Sequence, residues 1–118
     1  MGNNPNTAVI RPSFFKPLMN DYSTKLRLPF VFVKKHRKFL PENAMLRIRT
    51  GKIWNMKIEE YYEDGEGLCF FTEGWSDFVR DLELQNMQML VFSLNVDKAA
   101  FNVTVYEENS NEKGILHR

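Results

Sequence analysis

The sequence predicts a mainly β domain, with seven short strands in a largely antiparallel sheet that curls into a barrel and two short helices attached. Three observations predict it. Apolar residues alternate with charged or polar ones in several short stretches, the period of two expected of strands with one buried face. Proline, glycine and polar clusters punctuate those stretches at short intervals. The segments between them leave little room for the long crossovers that parallel strands require, so antiparallel neighbours and a curled sheet are expected.

Taken in order, PSFFKPL and KLRLP read as strands bounded by Pro12, Pro17 and Pro29, with Leu26 and Leu28 alternating with Lys25 and Arg27. The polar loop MNDYST joins them. FVFVKKHRKFL reads as a helix closed by Pro41, with Phe30, Val33 and Phe39 inward and Lys34-Lys35-His36-Arg37-Lys38 outward. NAMLRIRTGKIWNMKIEEY carries a hairpin signature. Leu46 and Ile48 alternate with Arg47 and Arg49, Trp54, Met56 and Ile58 alternate with Asn55, Lys57 and Glu59, and Thr50-Gly51-Lys52 makes the turn. YYEDGEG forms a second polar tip before LCFFT, which is apolar on both faces and so reads as a central strand.

FFTEGWSDFVRDLEL passes from a strand into a helix. Trp75, Phe78, Val79 and Leu82 fall at i, i+3, i+4 and i+7, one face of a 3.6-residue helix. Gly74 supplies backbone freedom at the junction, and Ser76 or Asp77 stands where a cap or first-turn anion stabilises a helix start. QMLVFSLN and AFNVTVYE form a last hairpin around residues 96–99, with Phe101, Val103 and Val105 on one face.

At 118 residues the chain is one domain, long enough to close a core without staples, and its 43% hydrophobic content argues for a folded domain. The domain is expected at residues 11–107. Residues 1–10 and 108–118 are polar and aperiodic, and are expected to be a disordered arm and a disordered tail or linker. Cys69 has no disulfide partner, and with only His36 and His117 beside it no zinc-ligand spacing exists. No apolar run is long enough to span a bilayer, and MGNNPNT is no signal peptide, so the chain is expected in the cytosol or nucleus. The sequon Asn102-Val103-Thr104 then reads as strand alternation.

The net charge of +1 hides a strong asymmetry. Residues 11–57 hold twelve Lys or Arg against two Asp or Glu, and residues 58–118 hold four against thirteen. A polyanion partner for the basic half is the functional reading, and a solvated surface whose charges cancel is the alternative. Catalytic signatures are missing: there is no Gly-rich phosphate loop, no His-Glu-x-x-His and no Gly-x-Ser-x-Gly. Glu59, Glu60, Glu63, Asp64 and Glu66 lack the order of a calcium loop and read as a solvated acidic tip. No enzyme, cofactor, metal site or small-molecule substrate is expected.

In their order, PSFFKPL, KLRLP followed by Phe30 and a helix, GKIWNMKI, FFTEGWSDFVRDLEL, and the closing pair MLVFSL and AFNVTVYE resemble the plant-specific B3 DNA-binding domain, within it the reproductive-meristem and vernalization-type branch. Gly-Trp-x-x-Phe-Val after an apolar strand is the most specific piece, and the resemblance covers residues 11–107. It implies a seven-stranded open pseudobarrel whose end is plugged by the Gly-Trp helix, making Trp75, Phe78, Val79 and Leu82 core. It also implies a nuclear transcriptional regulator that binds double-stranded DNA with two arms in the major groove, the first at Asn20 to Arg27 and the second at Tyr61 to Gly67.

On the first arm, Asn20, Ser23 and Thr24 are candidates for base edges or phosphates. Lys25 and Arg27 project opposite Leu26 and Leu28, and Arg27 is the foremost candidate because its guanidinium pairs bidentately with guanine or phosphate; its alternative role is a salt bridge to the acidic half. The second arm, with Tyr61 and Tyr62 as candidates, departs from sequence-specific members of the family, whose loop is basic and polar. Carboxylates repel phosphates, so weak sequence specificity is expected. Arg47, Arg49 and Lys57 are expected to form a cross-strand basic patch that extends the phosphate-binding face. Residues 34–38 have three readings: phosphate contacts, a nuclear-localisation signal or a solvated helix face. Other transcription regulators or chromatin proteins are further expected partners, and a membrane is not. The alternatives are a protein-interaction module on the same barrel and a single-strand nucleic-acid barrel with Tyr61 and Tyr62 as stacking platforms.

Overall fold

Alternating apolar residues become strands where they can bury one side against the same core. In the computed structural model, which describes residues 11–107, 112 and 113, seven segments do so. They are β1 (Ser13–Pro17), β2 (Leu26–Arg27), β3 (Asn43–Arg47), β4 (Ile53–Glu63), β5 (Glu66–Phe71), β6 (Met89–Asn95) and β7 (Ala100–Tyr106). Two helices, α1 (Phe30–His36) and α2 (Trp75–Asp81), complete the domain, with a 3-10 turn at Arg37–Phe39. The strands form one sheet in the order β1-β6-β7-β3-β4-β5-β2, antiparallel except for the pair β3 and β7. The sheet curls but does not close, because the edge strands β1 and β2 are not hydrogen-bonded to each other. The expected seven-stranded open pseudobarrel with two helices is what the chain forms.

The core is aromatic. Phe14 stacks on Phe92 at 4.7 Å, Phe71 on Trp75 at 5.9 Å, and Phe101 meets Phe71 edge-on at 5.5 Å. Trp75, Phe78 and Leu82 of the α2 segment are buried and Val79 packs beside them, as the helical spacing requires. Gly74 caps α2 at φ 94°, and a Cβ there would stand 2.0 Å from the Asn55 carbonyl oxygen, so only glycine fits. Asp77 lies in the first turn and pairs with Arg80 at 3.0 Å.

Three expectations change. KLRLP keeps only two ladder residues, since Lys25 lies before the pairing with Phe70 and Phe71 begins. In the first helix Phe32, not Phe30, turns inward beside Val33, because its ring meets Phe14 at 4.6 Å and Phe101 at 6.5 Å. Phe30 and Phe39 stay exposed, Phe39 because α1 stops at His36 and the 3-10 turn changes the helical phase. The expected boundary at 107 has residues packed beyond it. Glu112 bridges to Tyr106, and Lys113 is buried with its amide donating to the Val105 carbonyl at 2.8 Å. The rest of 1–10 and 108–118 lies outside the described residues.

Candidate nucleic-acid interface

The first arm is a loop stapled at both ends. Leu18 exchanges backbone hydrogen bonds with residues 87 and 88, and the Leu28 amide donates to the Cys69 carbonyl at 2.8 Å. In between, the Tyr22 hydroxyl donates to the Leu84 carbonyl at 3.2 Å, and the buried Trp75 indole donates to the Tyr22 carbonyl at 2.6 Å. Asn20 turns the chain with φ 58°, a conformation Asn tolerates better than most residues. Asn20, Ser23, Thr24, Lys25 and Arg27 are all exposed. Among the described residues no carboxylate pairs with Arg27.

The second arm is the end of the β4–β5 hairpin. Asp64 and Gly65 both take positive φ, 52° and 82°, the two-residue turn whose twist matches that of the strands it joins. Tyr62 is 74% exposed at this tip and Tyr61 45%. Tyr61 meets Phe70 edge-on at 5.6 Å, and its hydroxyl donates to Glu59. Glu59 also accepts from the Thr72 hydroxyl at 2.6 Å; that bond above all holds its carboxyl below the usual range, and its charge in turn pushes the Tyr61 phenol up. The Lys25 ammonium lies 4.8 Å from the Phe70 ring centre and 5.5 Å from that of Tyr61. The two arms therefore touch at their roots.

Lys16 of β1 is a further cation, partly buried. Burial, and then the charge of Arg27, push its ammonium below the ordinary lysine range. The signal was present in PSFFKPL, since Lys16 is in phase with the buried Phe14.

Arg47 and Arg49 lie elsewhere. Arg47 pairs with Ile53 at the start of β4, and Tyr61 is eight residues further along, roughly 26 Å at a strand's rise of about 3.3 Å per residue. Arg49 pairs with Glu112 at 3.2 Å, and both arginines line a separate groove of about 380 Å³ with Asn102, Thr104 and Tyr106. Lys57 sits opposite Asn43, four residues from Arg47 along β3, so the expected cross-strand patch does not form. In the run 34–38, Lys34 and Lys38 lie over the rings of Phe30 and Phe39, and Arg37 is paired with Glu60. Among the described residues no group of three or more His, Cys, Asp or Glu is placed to hold a metal.

Residues 14–109 match the B3 DNA binding domain. The chain belongs to the B3 family. This B3 domain is 30% identical over 103 residues to the putative B3 domain-containing protein At5g66980 of Arabidopsis thaliana, covering 86% of the chain and 30% of that protein. It is 35% identical over 95 residues to the B3 domain-containing protein REM14 of Arabidopsis thaliana, covering 78% of the chain and 18% of that protein. The chain thus spans less than a third of the length of these relatives. Among solved structures, the hypothetical Arabidopsis thaliana protein At1g16640.1 matches with a TM-score of 0.68 and 26% identity, covering 84% of this chain and 93% of that one. The Arabidopsis FUS3–DNA complex matches the B3 fold with a TM-score of 0.63 at 17% identity, over 80% and 94% of the two chains.

Proposed function

We propose that this B3 domain binds double-stranded DNA within a nuclear transcriptional regulator, taking the major groove between the arm Asn20–Arg27 and the arm Tyr61–Gly67. The observation that carries the reading is the junction of the two arms, where Lys25 lies over Tyr61 and Phe70. That FUS3 was solved with DNA on the same fold supports it. Lys16, Lys25 and Arg27 meet phosphates, Asn20, Ser23 and Thr24 meet base edges or phosphates, and Tyr61 and Tyr62 form the opposite wall. Arg47 and Arg49 enter only as contacts to flanking phosphates. The order of the sequence motifs favours the reproductive-meristem and vernalization-type branch.

Glu63, Asp64 and Glu66 are exposed at the tip of the second arm and oppose a phosphate backbone, so binding is weakly sequence-specific. Fluorescence-anisotropy titration against an arbitrary-sequence duplex tests the reading at several salt concentrations, beside a folded Lys25→Glu, Arg27→Glu variant. Affinity should fall steeply with salt and collapse in the variant. No binding at low salt would overturn the reading, and a sharp consensus from randomised-site selection would overturn the weak specificity alone. The exposure of Tyr62 among three carboxylates favours a second reading, a protein-interaction module, which takes over if duplex binding is absent.

A further inference from the structure

Glu60, at the root of the acidic arm, is paired with a cation. Beyond the pair Glu60 and Cys69 the β4–β5 hairpin leaves the core, and residues 61–66 are all exposed. A two-stranded ribbon standing alone is marginal in water, so its direction depends on what grips its root. Lys25 grips the outer face through Phe70 and Tyr61. On the inner face, Arg37 from the 3-10 turn pairs with Glu60 of β4. This pair lies over Gly67 of β5. A Cβ on Gly67 would stand 2.2 Å from Glu60 Oε2 and 3.0 Å from Arg37 Nη2, although Gly67 does not take the positive φ of Gly65 or Gly74. The ends of the Glu60 and Arg37 side chains thus occupy the space beside Gly67 that a Cβ would enter.

We propose that the Arg37–Glu60 pair, seated on Gly67, anchors the second arm against the first helical segment and fixes Tyr62 toward the DNA, making Arg37 a positioning residue rather than a phosphate contact. The proposal rests on the duplex-binding reading. It inverts the ordinary electrostatic expectation at one position. Removing a negative charge from a DNA-binding surface normally tightens binding, whereas removing Glu60 frees the arm and weakens it.

The test is a double-mutant cycle on the full chain, with Arg37→Ala, Glu60→Ala and both together, each titrated against an arbitrary-sequence duplex at several salt concentrations, and Glu63→Ala as the exposed-carboxylate comparison. Each single variant should bind about three- to tenfold more weakly, the scale of re-ordering a rotamer-rich segment on binding. The double variant should be no weaker than the poorer single one, because the two changes remove the same contact. The salt slope should hold, where loss of a phosphate contact lowers it by about 0.9. Glu63→Ala should bind as tightly as the parent or tighter. Glu60→Ala binding at or above parental affinity overturns the proposal, as does a salt slope lowered by about 0.9 in Arg37→Ala. Amide hydrogen exchange on the same variants gives a second readout without DNA: exchange should quicken across residues 61–67 and stay unchanged in β6 and β7. Unchanged exchange at 61–67, or an equal rise in all strands, also overturns it. A parent chain that fails to bind duplex overturns the DNA reading, and the exchange data then decide the anchor by themselves.

Discussion

The indole N–H of Trp75 donates a 2.6 Å hydrogen bond to the backbone carbonyl of Tyr22, tying the loop Asn20–Arg27 to a side chain with no exposed surface. The α2 segment is thus more than a plug. It holds the loop that carries Asn20, Ser23, Thr24 and Lys25.

Trp75→Phe should leave the Tyr22 carbonyl without its donor. Orphaning a partly buried acceptor costs about 1–3 kcal/mol, to which the lost ring volume adds. Urea denaturation should register that loss, and duplex affinity should fall in the same variant although Trp75 cannot touch DNA.

Gly74→Ala should be among the most damaging single changes. The position takes φ 94°, and the added Cβ would meet the Asn55 carbonyl oxygen at 2.0 Å. A left-handed non-glycine residue alone costs about 1–2 kcal/mol, and the collision with backbone adds to it. A fall of more than about 2 kcal/mol in urea denaturation is expected, while Gly51→Ala, with positive φ but open space, should lose less.

Lys16→Met should separate stability from binding. Burial and Arg27 both disfavour the ammonium in the folded chain, so the folded Lys16 pKa lies below its unfolded value. A lysine lowered in this way weakens the fold at neutral pH and stops doing so as pH rises through the folded and then the unfolded value. The variant should therefore melt at a higher temperature at pH 7 and bind duplex more weakly, with a salt slope lower by about 0.9.

Asp81→Asn should flatten the acid limb of the stability curve. The Trp54 indole donates to the Asp81 carboxylate at 2.8 Å, and this bond, with Arg80 and Lys52, holds the carboxyl below its ordinary value of 3.8. The folded pKa is depressed, so its contribution is complete above the ordinary value and disappears as pH falls through the folded one. Urea midpoints measured through that window should drop less steeply in the variant, and an unchanged slope would remove Asp81 from the account.

The chain's local signals carried most of the architecture. Trp75, Phe78 and Leu82 declared a buried helical face by spacing, and Thr50-Gly51-Lys52 and residues 96–99 declared hairpins by turn chemistry. Periodicity failed where two phases were nearly equal. Phe30 and Phe32 are both apolar residues in the first turn of α1, and only the rings of Phe14 and Phe101 select Phe32.

By itself the sequence determined most of the strands, the α2 face and the two charged halves, because each depends on residues close together in the chain. Tertiary structure alone decided what those charges meet. The sheet order puts Arg47 and Arg49 at the far end of β4, and the fold takes Arg37 out of a basic run to meet Glu60. Those partners lie far apart along the chain, and alternation fixes only which side of a strand a residue faces, not which strand lies beside it.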